Sequence, residues 1–274
     1  MCNYLEKIRA IDFMKMHPLI VCGKYVIDNP KFALNNPLSF ARNLFRLDHA
    51  LSLTQPILWD DADSPGVKGT CTPIWFKHRM YLLTAKHSVQ NQDVSNLSYI
   101  VDFKKKDCLL LDPLNSINLD DVRKSRIDDY VMIRVKEEDS LGEQKHWAFD
   151  IEKNKINYNY NIIDVFIRGA PSVINGVDYD KEIIREQCFI TEGFESIESD
   201  EDYPGCFWLK MKTSLAKEFN NNADGLSGSI VYGMNDKCEV GILGIVIEYN
   251  IYTKNYLVLS IESILASLKG KYGL

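Results

Sequence analysis

Apolar residues return along this chain at two different periods. Between Asn36 and Leu53 (NPLSFARNLFRLDHALSL), Phe40, Leu44, Phe45 and Leu51 recur near helical spacing, with Asn36 placed to cap and Pro37 at the first helical position, so one helix is predicted there. The stretch Asp60 to Gly66 (DDADSPG) reads as a turn-rich linker, and the pattern changes after it. From Val67 onward the apolar runs are short and rich in β-branched and aromatic residues: Thr72 to Phe76, Tyr81 to Ala85, Tyr130 to Val135, Ile162 to Ile167, Phe207 to Met211, Ile230 to Tyr232, Ile242 to Tyr249 and Tyr256 to Leu259. These predict strands with turns between them. Helical spacing returns only at the tail, where Ser260 caps Ile261 to Leu268 and Gly270 is the predicted stop.

Many short strands without long intervening helices predict a mainly β barrel or sandwich and argue against a doubly wound α/β sheet. The length of 274 residues, with 46% apolar and 26% charged, suits one large domain or two small barrels with an extension. A net charge of -6 leaves no cationic surplus for a run of phosphates, and the basic cluster Lys104-Lys105-Lys106 is followed at once by Asp107 as in a solvated turn, so nucleic acid is not an expected partner. The longest strongly apolar run, Gly241 to Ile247, falls far short of the roughly 20 residues that span a bilayer, and no membrane association is expected. Glu6, Lys7, Arg9, Asp12 and Lys15 interrupt the apolar N-terminus and leave no secretory h-region; read as a complete chain, the protein is expected in the cytoplasm. Its seven scattered cysteines, without a CxxC pair, fit that setting and speak against a disulfide scaffold or a structural zinc site.

Three segments carry candidate chemistry. Asp224 to Val231 (DGLSGSIV) sets Ser227 between two glycines just before a strand, a turn that exposes a hydroxyl and lets the N–H groups of Gly225 and Ser227 aim at one oxyanion. Tyr81 to Val89 (YLLTAKHSV) runs an apolar strand into His87, and Arg126 to Val135 (RIDDYVMIRV) opens a strand with an acidic pair. Each has an ordinary structural reading as turn or strand-end chemistry. Their order of His, Asp, Ser on a mostly β chain is what gives them weight together.

With the readings TAKH, DYVM and GLSGS, the chain resembles the chymotrypsin-like family of trypsin-type peptidases over roughly Val67 to Leu268. Lys68 to Phe76 is similar to the family strand before the histidine hairpin, and Val240 to Val246 to the strand after the nucleophile. The resemblance implies two six-stranded antiparallel β-barrels. Residues 67–150 would carry the His and Asp, 151–274 the Ser and a C-terminal helix, and 1–66 a partly helical N-terminal extension. It implies His87 as general base, Asp129 as orienting acid with Asp128 as fallback, Ser227 as nucleophile, and backbone N–H of Gly225 and Ser227 as the oxyanion hole. Asn221 would floor the specificity pocket, Val246, Ile247 and Glu248 would line the substrate groove, and peptide would pair with an edge near Ile245 to Glu248. No metal or organic cofactor is implied. The implied partners are a protein or peptide substrate and, by likeness to intracellular effectors, a regulatory sensor protein.

Some positions depart from the family pattern. Lys86 replaces a small residue and could depress the basicity of His87 unless it points to solvent, Ser229 replaces a glycine and could crowd the turn, and Ser88 stands where a cysteine partner of Cys71 would be. There is no Ile-Val-Gly-Gly activation start. The alternative function is a catalytically silent, peptide-binding protease fold; an esterase using the same triad is disfavoured by the lack of strand and helix alternation.

Overall fold

The computed structural model describes residues 37–59, 66–90, 94–102, 107–119, 125–172, 176–178, 183–185, 188–212, 224–237 and 239–273. Helix α1 (Pro37–Ser52) leads into β1 (Gln55–Trp59), then β2 (Gly66–Phe76), β3 (Arg79–Thr84) and the single turn α2 (Lys86–Val89). Next come β4 (Leu97–Ser98), β5 (Ile100–Asp102), β6 (Asp107–Cys108), β7 (Leu111–Ile117), β8 (Val131–Val135) and β9 (Phe149–Asp150). The second half holds β10 (Ile162–Gly169), β11 (Gly176–Asp178), β12 (Ile183–Arg185), β13 (Phe189–Glu192), β14 (Phe194–Ser199) and β15 (Cys206–Met211). It closes with β16 (Ile230–Asn235), β17 (Val240–Asn250), β18 (Asn255–Ser260) and helix α3 (Ile261–Tyr272).

Two seven-stranded sheets result. The first runs β4-β1-β2-β3-β8-β7, with β9 added alongside β2 in parallel, and the second runs β13-β10-β16-β17-β18-β15-β14. This is a mainly β, chymotrypsin-like double β-barrel. Each sheet carries one strand more than the six expected, and the short parallel β9 breaks the purely antiparallel pattern. The first sheet also begins before Val67: β1, inside the stretch taken from sequence as an extension, pairs antiparallel with β2 from Gln55↔Cys71 to Trp59↔Gly66.

Alternation along the strands assigns side chains to three cores. In β3, Met80 and Leu82 fill the first barrel, while Tyr81 and Leu83 face outward into a core shared by both barrels. In β16, Val231 fills the second barrel and Ile230, Tyr232 and Met234 face the shared core; Val258 and Leu259 in β18 divide the same way. Both faces of these strands are therefore buried, which is why they read as continuous apolar runs. The shared core also takes Leu47, Ala50 and Leu51 from α1 and Ile261, Ile264, Leu265 and Leu268 from α3.

Helix α3 starts as its sequence predicts, with the Ser260 hydroxyl accepting from Ser263 N–H at 3.2 Å. It does not stop at Gly270. The helix runs to Tyr272 and ends on Gly273 in the left-handed region, φ 62°, whose N–H reaches back to Lys269 O. Gly270 is exposed with open space around it, so its only penalty is the intrinsic one of about 1 kcal/mol. Among the described residues no helix is long and apolar enough to cross a membrane.

Candidate active site

Strand β3 delivers His87. Thr84 at its end is tied to β2 by a bond from its hydroxyl to Thr70 O, Ala85 stays extended, and the turn α2 then lifts the imidazole off the sheet. Asp129 arrives from the other direction, at the end of a 3-10 turn, Arg126–Asp128, whose first carbonyl accepts the Asp129 N–H. Its carboxylate takes two bonds from one residue: His87 N–H donates to Oδ1 at 3.0 Å and His87 Nδ1 lies 2.8 Å from Oδ2. An ionised carboxylate only accepts, so Nδ1 carries the ring proton and Nε2 is left as the basic nitrogen. The Asp129 side chain is 0% exposed and that of His87 32%, so the acid is sealed while the base keeps access to its surroundings.

Asp128 is engaged elsewhere. Its Oδ1 pairs with Lys271 of α3 at 2.6 Å and its Oδ2 accepts from Ser125. Lys86 does not point to solvent: it is 2% exposed, and its Nζ donates to Asn118 O at 2.6 Å. Near Asp129 lies Cys206, whose thiol is pushed up to about 12 by burial, with Asp200 and Asp129 adding to the effect and Arg126 opposing it. Burial likewise pushes the Cys71 thiol up. Both stay neutral thiols, poor competitors for a nucleophile's role.

The Ser227 turn is held by Thr70 of β2. Thr70 N–H donates to Ser227 O at 2.9 Å, and its hydroxyl donates to Gly225 O at 2.8 Å while accepting from Ala170 N–H at 2.9 Å. Gly225 and Gly228 have φ of 88° and 87°. A Cβ on Gly228 would collide with Thr70 O and the Thr84 hydroxyl, so only glycine lets the turn approach the end of β3 this closely. Thr70 and Thr84 thus hold the Ser227 turn against the end of the strand that leads into His87. Among the described residues the N–H groups of Gly225 and Ser227 have no backbone acceptor.

Ser229 is accommodated rather than crowded. It is buried, and its hydroxyl lies where a side chain at residue 169 would sit; β10 carries Gly169 there. Ser88, the residue in place of the bridging cysteine, is seated the same way over Gly69, whose missing Cβ would lie 2.8 Å from the Ser88 hydroxyl. Leu226, between Gly225 and Ser227, is 1% exposed and belongs to the second-barrel core, which anchors the turn from below.

The groove strand differs in detail from expectation. Strand β17 is paired on both sides at Ile245, and at Val246 both backbone groups are used, with Val246 N–H donating to Ser229 O and Val246 O accepting from Gly228 N–H. Past Val246, Glu248 to Asn250 pair with β18. Val246 and Ile247 bury their side chains; Glu248 is half exposed and meets Arg126, from beside Asp129, at 2.9 Å, with the guanidinium over the Tyr203 ring. Asn221 lies outside the described residues. Thr70, Asn118 and Gly169 were not singled out from sequence: Thr70 sits in an ordinary strand run, and no spacing marks the other two. Among the described residues no three His, Cys, Asp or Glu side chains gather as a metal site would require.

No family model and no curated protein sequence matches the chain. Among solved structures, a chain from work on coupled folding and binding of the intrinsically disordered Sesbania mosaic virus VPg protein aligns over 81% of this chain and 96% of its own, at 12% identity and a TM-score of 0.44. A mutant of human heparin binding protein, which has the chymotrypsin fold, aligns over 82% of this chain and 94% of its own, at 9% identity and a TM-score of 0.51. At that identity the likeness speaks for the double-barrel fold and for no particular chemistry.

Proposed function

We propose that the chain is a serine endopeptidase working by acyl transfer, with Ser227 as nucleophile, His87 as general base and Asp129 as the group that orients it. The observation that carries this reading is the sealed Asp129 carboxylate gripping His87 twice and leaving Nε2 basic. In the proposed cycle Nε2 accepts the Ser227 Oγ proton as Oγ bonds to the substrate carbonyl carbon, and Asp129 stays ionised to stabilise the imidazolium. Gly225 and Ser227 N–H receive the oxyanion, the imidazolium returns the proton to the leaving amine as the C–N bond breaks, and water activated by Nε2 hydrolyses the acyl-enzyme. Substrate backbone would add alongside β17 near Ile247 and Glu248, a mode that suits a peptide rather than a small ester. Asn221 as the pocket floor, and control of the enzyme by a partner protein, belong to the same reading.

The test is labelling of the purified protein with a fluorophosphonate probe, with the modified peptide read by mass spectrometry. Label on Ser227 that disappears in Ser227→Ala and His87→Ala is the expected result. A folded sample that takes no label would instead give the groove a binding role.

A further inference from the structure

Lys86 is an expensive residue to bury. An ammonium moved out of water carries a large desolvation cost unless its protons are bonded, and a methionine would fill the same space without that cost. The contacts of Lys86 lead to Asn118, itself 3% exposed and held in the left-handed region at φ 60°, which asparagine tolerates better than other side chains. Asn118 accepts Lys86 Nζ on its backbone oxygen at 2.6 Å, with Oδ1 also in reach at 3.4 Å. Its Nδ2 donates to Tyr130 O at 2.6 Å and to Asp128 O at 3.1 Å. Those are the carbonyls of the residues on either side of Asp129.

The chain of contacts therefore closes on itself. Lys86 is joined by a peptide bond to His87, His87 N–H and Nδ1 go to the Asp129 carboxylate, Asn118 brackets the Asp129 backbone, and Asn118 returns to Lys86. Every link is buried or half-buried, so none is loosened by competing water.

We infer that Lys86 and Asn118 are positioning residues: the buried ammonium fixes Asn118, and the Asn118 amide holds the Asp129 backbone so that its carboxylate stays in register with His87. This deepens the acyl-transfer reading and rests on it for its effect on rate, but the register of His87 and Asp129 can be followed without turnover. A geometric error of about 1 Å in such a pair costs on the order of 100-fold in rate.

The experiment compares wild type with Lys86→Met, which keeps length and loses the donor, and with Asn118→Gly, which keeps the left-handed backbone and loses the amide. Folding is checked by circular dichroism. The His87 Nδ1 proton is then observed by NMR, where a proton shared with a carboxylate resonates far downfield, and the fluorophosphonate labelling rate is measured. The expected result is that either folded variant shifts or loses the downfield signal and labels about 10- to 100-fold more slowly. A folded variant of either kind with the signal in place and a rate within about twofold of wild type overturns the inference. If wild type shows the signal but never labels, the acyl-transfer reading fails and the NMR comparison alone decides the positioning role. If wild type labels and both variants match it, the positioning role fails and acyl transfer stands.

Discussion

Thr70 is the residue on which the two halves of the candidate site converge, since one side chain and one N–H serve Ser227, Gly225 and Ala170 together. Thr70→Val keeps the shape and removes both hydroxyl bonds. Each buried group left unpaired costs about 1–3 kcal/mol, so the variant should melt several degrees lower and label more slowly at Ser227, as differential scanning calorimetry and probe kinetics would measure. Asp129→Asn tests tautomer control instead of clamping. An asparagine that donates to Nδ1 leaves the proton on Nε2, so the labelling rate should fall by about 10⁴-fold with little change in melting temperature. Away from the site, burial raises the Asp164 carboxyl to about 6, against which the Val165 and Gly193 N–H groups and Lys212 act only in part. Folding then favours the protonated acid. The stability this contributes is full below the ordinary carboxylate range and is lost as pH rises through about 6. Asp164→Asn should consequently stabilise the fold by up to about 2 kcal/mol at pH 7 and by little at pH 4, read from denaturant melts at the two pH values.

At the scale of elements, what sequence could say depended on how locally each element is determined. The strands Tyr81 to Ala85, Tyr130 to Val135 and Ile242 to Tyr249 were legible because both of their faces are buried, one in a barrel and one in the shared core, which forces unbroken apolar runs. Strand β1 (QPILW) was missed: it is five residues long, contains Pro56 and abuts the linker, and only its pairing with β2 makes it a strand. His87 and Ser227 stood out because glycine turns and strand ends leave a mark on sequence. Asn118 left none, since its role is to meet carbonyls of residues that are near it only in the folded chain. The preference for Asp129 over Asp128 rests on the resemblance, which puts the acid directly before the apolar strand, whereas the pairing of Asp128 with Lys271 of α3 is a tertiary contact that no spacing marks. Helix α3 adds a second tie through Tyr130 OH to Ser267 Oγ at 2.9 Å, so the tail braces the strand start that bears the acid. Its anchor is Leu268, fully buried in the shared core. Leu268→Ala should cost about 2–5 kcal/mol by calorimetry and leave the relative orientation of His87 and Asp129 to the remaining contacts, so labelling measured well below the melting temperature should persist.

For the whole molecule, the decisive layer is the core between the barrels. It is made of outward faces of both sheets, and α1 closes it with Leu47, Ala50 and Leu51. Arg46 of the same helix bonds the Asn154 side chain at 2.8 Å and lies over the Phe149 ring, so α1 touches the segment that joins one barrel to the other. Strand β1 follows it directly and sits between β4 and β2. A chain begun at Asp63, the boundary suggested by the DDADSPG linker, would lose both elements at once. Losing buried leucines costs about 2–5 kcal/mol each, and β1 takes with it a full edge of hydrogen bonds to β2, against a total stability of about 5–15 kcal/mol for a domain. The balance is negative before any other contact is counted. The truncated chain should therefore be insoluble or lack a cooperative thermal transition, whereas a chain carrying a protease site cut in the linker after Trp59 should retain its transition after cleavage, because the helix and strand remain bound. A soluble, cooperatively melting chain from Asp63 would mean that the shared core is sealed without α1, and that the helix is an appendage rather than part of the wall between the barrels.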